Sequence, residues 1–184
     1  ASTASFVAQC YELHRPPALG SLVKTGDRPL EIFGVVCFAE TRSLEEGRKP
    51  VARGGGEEAE DVFHTHPQLA RLLCTDFRAL VVGYRDGERL FQRLPPQPAR
   101  IHGFVYQCSA AELREFSSAT DFLKLLVADQ SFHWVDEAIA ACLRCCAQTQ
   151  DDPDRFLVSA GKELAVLLGG DFQRLSMLLR RVRA

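Results

Sequence analysis

The spacing of apolar residues changes once along these 184 residues, near position 109. Before it, apolar side chains fall in short β-branched and aromatic runs punctuated by glycine and proline. After it, they recur with helical period. Strands collected in one half and helices in the other do not fit an alternating βαβ order. The pattern predicts an α+β chain, with a β unit over 1–108 and a helical region over 109–184.

In the first half, SFVAQCYEL (5–13) sets Phe6, Ala8 and Cys10 on one face and Val7 and Tyr11 on the other, until Pro16-Pro17 break the run. GSLVKTG (20–26) is a short strand closed by glycines, and LEIFGVVCFAETRS (30–43) a longer one, where Gly34 marks a bulge or bend. The clearest local signal is ALVVGYRDGERLFQRL (79–94). Asp86-Gly87 between two β-rich runs predicts a type I′ hairpin turn, because both central positions of that turn need positive φ. PPQP (95–98) precedes a last strand, IHGFVYQC (101–108). About six strands are expected to close into a small β-barrel, since closure removes unpaired edges. The charged, glycine-rich LEEGRKPVARGGGEEAED (44–61) reads as a loop at the barrel's edge.

The second half opens on Ser109-Ala-Ala-Glu112, a capping box in which the serine oxygen accepts a free N–H and the glutamate reaches back. Helical pattern continues through 120–128 and 133–148. Asp152-Pro153 starts another helix, with Asp as N-cap and Pro in the first turn, and Gly169-Gly170 stop it. A final amphipathic helix over 171–183 carries Phe172, Leu175, Leu178, Leu179 and Val182 as its stripe, with Arg180, Arg181 and Arg183 in its last turn.

Charge narrows the function classes. The formal net charge is −2, and residues 1–109 carry 13 Lys+Arg against 13 Asp+Glu. Neither half offers the basic face that phosphate neutralisation requires, so nucleic-acid binding is not favoured. Arg outnumbers Lys 18 to 4, a bias that a GC-rich genome also produces. No apolar run reaches the ~18–20 residues of a membrane span. Seven cysteines, an odd number mostly set singly in apolar runs, imply a reducing, cytoplasmic setting without a disulfide framework.

The stretch FHTHPQLARLLC (63–74) gathers metal-ligand residue types: His64, His66 and Cys74, with Asp61 just before. A zinc site needs three or four ligands aimed at one point, and HExxH is absent. Pro67 instead reads as the first turn of a short helix over 67–74. CLRCC (142–146) contains a CxxC, but late in a helix and without a second pair, so packing cysteines fit better than a redox or zinc motif. Neither GxxxxGK[ST] nor GxSxG occurs, and Glu163 stands where a phosphate loop would need Ser or Thr. No catalytic, cofactor or metal residue is expected.

GSLVKTG followed by EIFGVVCFAETRS, within the wider PPALGSLVKTG…IFGVV arrangement, resembles the HAS-barrel, the small β-barrel of HerA-type translocating ATPases and of the N-termini of rotary ATP synthase ring subunits. The resemblance covers roughly residues 4–108. It implies a barrel without catalytic residues that caps ring ATPases, holds subunits together and offers a docking surface. This chain departs from the family pattern after the barrel, where helices follow and no phosphate loop does.

The expectation is therefore a non-enzymatic docking or assembly module, accessory to a ring ATPase, that binds a protein partner or self-associates. Its expected contact surfaces are the loop 44–61, with Arg48 and Arg53, and the last helix, with Arg174, Leu178 and Arg181. A nucleic-acid-associated accessory factor is the alternative, and a metal-dependent enzyme using Asp61, His64 and His66 the third.

Overall fold

A computed structural model describes residues 1–44, 71–129 and 135–183. Among the described residues, six strands, β1 (Ser5–Gln9), β2 (Leu22–Thr25), β3 (Leu30–Ser43), β4 (Leu73–Asp86), β5 (Arg89–Phe91) and β6 (Val105–Gln107), are followed by five helices. These are α1 (Ala110–Phe116), α2 (Leu123–Ala128), α3 (Val135–Gln148), α4 (Pro153–Leu167) and α5 (Phe172–Arg183). The α+β class expected from the sequence holds.

The expected closed barrel does not form. The six strands make one antiparallel sheet ordered β1-β4-β3-β2-β6, with β5 pairing only β4. Parity explains the open seam. Only five strands lie on the continuous path, and each runs antiparallel to its neighbour, so the two edge strands, β1 and β6, run in the same direction. Joining them directly would require a parallel pair, which is less stable per residue than an antiparallel one.

The sheet is bent at two points in its longest ladder. The β3–β4 register shifts between Phe33 and Gly34 and again between Val36 and Phe38, leaving Val82 and Cys37 as extra residues. Gly34 is therefore at a bulge, as expected, and a second cause fixes it as glycine. A Cβ there would lie 3.0 Å from the Ala79 Cβ and 3.1 Å from the Phe6 ring. The β4–β5 hairpin forms, but one residue away from its expected turn. Asp86 pairs with Arg89, so the two-residue loop is Gly87-Glu88. Among the described residues of this loop only Gly87 has positive φ, the pattern of a type II′ turn with glycine first.

Each face of the sheet carries its own core. One face, with Leu22, Phe33, Val35, Leu80 and Val82, packs under the helices. This cluster runs across position 108/109, so strands and helices share one interior. Phe116 stands between Phe33 and Phe122, with ring centroids 5.4 Å from each, and ties α1 to β3. Helix α3 lies at the centre, buried from Ala138 through Leu143, and comes so close to Gly20 that a Cβ there would lie 2.5 Å from the Ala141 Cβ. The opposite face holds Phe6, Val23, Ile32, Val36, Phe77 and Ala79, covered in part by Ala99 from the 92–104 connection.

The helix signals hold where expected. Ser109 and Glu112 form the full capping box. The Asp152 side chain accepts the Arg155 N–H with Pro153 in the first turn, and Gly169 and Gly170 both have positive φ. Of the short helix expected over 67–74, residues 67–70 lie outside the described residues, and Leu73 and Cys74 belong to β4 instead. No described helix is long and apolar enough to cross a membrane.

Candidate functional site

A large concavity lies at the open seam. It is a cleft of about 1160 Å³ between β1 and the 99–107 segment, floored by Val23, Thr25 and Phe77. Because β2 and β4 both contribute to its floor, the sheet curls until its two edges border one groove. Five large apolar side chains remain exposed along it: Val7, Tyr11, Ile101, Phe104 and Tyr106. Tyr11 is 90% exposed and Ile101 80%. Scattered single apolar residues on a surface need no account, but a row of them along one groove marks a contact surface.

The edges also present backbone. In an antiparallel ladder, alternate residues direct both N–H and C=O at the partner strand. The Cys10 N–H donates to the Thr75 carbonyl and the Val81 N–H to the Ala4 carbonyl. Even-numbered residues of β1 therefore face β4, and the backbone groups of Ser5, Val7 and Gln9 point to the seam. Ser2 occupies those of Ser5. On the other side the Cys108 N–H donates to the Leu22 carbonyl, which turns the backbone of Val105 and Gln107 outward. Four residues thus offer donor and acceptor pairs to the cleft with no acceptor or donor among the described residues.

Charge at the cleft is sparse. Arg15 is joined to Glu12 at 2.7 Å, whereas Arg100 makes no ion pair among the described residues. With His102 beside it, the lining is net positive by one.

A charged network supports β6 from behind. Lys24 donates to Glu31 at 3.0 Å and to Glu112 at 2.6 Å, and Arg85 reaches Glu31 at 3.3 Å and Glu115 at 2.8 Å. The hydrogen bond from Lys24, with that from the Ser109 backbone, holds the Glu112 carboxyl down at about 2. Glu112 in turn raises Lys24, and Glu115 raises Arg85. Every charge here has a partner, so the network locks α1 to β2, β3 and β4 and leaves no group poised for proton transfer.

The cysteines are held as packing groups. Cys142 and Cys146 sit 3.9 Å apart, buried and one helical turn from each other. Their mutual hydrogen bond and burial push Cys142 well above the ordinary thiol value. Burial likewise pushes Cys37 up to about 11 and Cys108 up to about 12. Raised thiols are poor nucleophiles. Among the described residues, no group of three His, Cys, Asp or Glu side chains is placed to hold a metal.

The contact residues expected from the sequence are placed as follows. Asp61, His64, His66, Arg48 and Arg53 lie outside the described residues. Leu178 is fully buried between α5 and α3. Arg174 grips Asp136 of α3 with two nitrogens, at 2.8 and 3.1 Å, and Arg181 pairs with Glu137 at 2.5 Å. These three side chains hold α5 onto its own domain. The outer side of α5 carries a smaller groove of about 420 Å³ between Phe172, Leu175 and Leu179, beside Arg180 and Arg183. Two arginines fall short of the several phosphate contacts that give nucleic-acid affinity.

Sequence reasoning missed the cleft because Val7 and Tyr11 lie almost a hundred residues from Phe104 and Tyr106. A usable signal was present: alternation within 5–13 left Val7 and Tyr11 on the face away from Phe6, with nothing assigned to cover them. The chain matches no protein-family model, and comparison with curated proteins found no similar sequence.

Proposed function

We propose that the chain is a non-enzymatic protein-docking module whose contact surface is the seam cleft. The observation that carries this reading is the row of exposed apolar side chains, Val7, Tyr11, Ile101, Phe104 and Tyr106, along the two edges of one groove. Mutually paired charges and raised thiols elsewhere support a binding role over catalysis. The ring-ATPase partner remains what the HAS-barrel motifs imply, without the closed barrel that the resemblance also implies.

The test is quantitative affinity capture from native lysate with the full chain and with Phe104→Glu, each with and without nuclease. A stoichiometric protein captured by the wild type after nuclease, and lost with Phe104→Glu, is the expected result. Capture that depends on nucleic acid, or that Phe104→Glu leaves unchanged, refutes docking at this cleft.

A further inference from the structure

Resting on that docking reading, we propose that the cleft takes an extended segment of another protein, which enters between β1 and β6 as the missing sheet strand. Three observations select this occupant.

The first is backbone chemistry. Val7 and Gln9 on one side and Val105 and Gln107 on the other present donors and acceptors in strand geometry. A helix satisfies its own backbone groups and leaves these unpaired. An extended chain pairs with both edges at once, the strand-addition mode of peptide recognition.

The second is direction. β1 and β6 run the same way, so one strand running opposite to both continues the antiparallel alternation without a break. It makes six strands on the path, an even number, and removes the parity obstacle that holds the seam open. The volume agrees, since about 1160 Å³ exceeds the roughly 300–1,000 Å³ of small-ligand pockets.

The third is charge and supply. Arg100 of the lining makes no ion pair among the described residues and has His102 next to it, so an acidic residue flanking the inserted strand is favoured. A second copy of this chain fits poorly. Every described strand is already within its sheet, and an edge strand of an intact sheet cannot enter a groove with edges on both sides. The occupant is a short segment of a different protein, apolar at every second position to meet Phe6, Phe77 and Val105, with an acidic flank.

The probe is a displayed library of random dodecapeptides, selected on the immobilised full chain. Val7→Pro is the informative variant. The Val7 N–H faces the seam, so proline there removes a donor to the inserted strand and no bond of the sheet's own ladder. Phe6, the residue before it, is already extended as proline requires. Circular dichroism and thermal unfolding establish that Val7→Pro and Phe104→Glu fold. Enriched peptides should show apolar residues at period two with an acidic flank. They should slow hydrogen exchange at the Val7, Gln9, Val105 and Gln107 amides. Affinity should fall about tenfold with Val7→Pro.

Peptides lost with Phe104→Glu but unaffected by Val7→Pro overturn strand addition and leave docking at the cleft standing. Peptides that bind both variants like the wild type overturn both readings. So does a selection that enriches nothing.

Discussion

Glu112→Gln isolates the charge that fastens α1 to the sheet. Glutamine keeps the shape and can still complete the capping box with Ser109, so the helix start is retained. Lys24 remains paired with Glu31 at 3.0 Å, so no cation is orphaned. What disappears is the carboxylate held from its ordinary 4.5 down to about 2. At ~1.36 kcal/mol per pH unit, that separation sets a ceiling of roughly 3.4 kcal/mol. The Glu112 side chain keeps 30% of its exposure, and water screening reduces the expected loss to about 1–2 kcal/mol at pH 7.

The sign follows from the lowered value. A carboxyl whose folded-state pKa is depressed stabilises the fold above its unfolded value, and that contribution fades as pH falls from 4.5 toward 2. Urea unfolding of both proteins should therefore show a gap at pH 7 that loses more than about half its size by roughly pH 3. In a Lys24→Met background the substitution should cost clearly less, because the larger of the carboxylate's two partners is gone and Ser109 alone remains. A gap constant from pH 7 to pH 3 would refute the part given to the lowered carboxyl, and one undiminished without Lys24 would refute Lys24 as its main partner.

Leu178→Ala should cost about 2–5 kcal/mol in urea unfolding, as a large-to-small change at a fully buried site; a cost near zero would show that α5 does not dock through this residue. Gln92→Ala removes a side chain that donates to the Phe116 and Ala119 carbonyls and accepts the Phe122 N–H. It should lower stability by about 1–3 kcal/mol, with faster amide exchange at Phe122 as the specific readout. Among the seven cysteines, none should react with a disulfide reagent at neutral pH faster than free cysteine does, and Cys37, Cys142 and Cys146 should react only on unfolding. One fast thiol in the folded protein would contradict this packing of the cysteines.

What could be read in the sequence was local. The capping box at Ser109, the Asp152-Pro153 start, the Gly169-Gly170 stop and the β3 span each depend on residues within one turn or one strand. The Gly87 turn was located to within one residue, and the error has a local cause. Asp86-Gly87 carries the usual type I′ signature, but pairing of Asp86 with Arg89 makes glycine the first loop residue. Contact over long separations was not legible. The α5 stripe reads equally as a partner surface or as core, and only the placement of α3 buries Leu178 while Asp136 and Glu137 take up Arg174 and Arg181. Closure of the sheet is expected because it would remove unpaired edges. It depends on strand order, and β5 leaves that order by pairing β4 alone.

The same order explains how the chain tolerates open edges at all. Exposed edge strands invite uncontrolled pairing, and natural proteins keep them short or covered. Here β6 has three residues and β1 five, with Ser2 folded back onto Ser5. Among the described residues of β1 and β6, the unpaired backbone facing the seam belongs to two residues on each side, inside a groove rather than along an outer rim. Behind β6, the Lys24–Glu112 and Arg85–Glu115 pairs fix α1 and the strand that precedes it. The groove is held at both walls by ladders and ion pairs that do not involve its free groups. Binding a strand there would bring little further ordering cost on this side of the interface, which is where preorganised sites gain affinity. An edge left open by accident would share none of these features. The short strands, the serine cover and the braced wall all act on the same two edges, and together they limit pairing to a segment narrow enough to enter the seam.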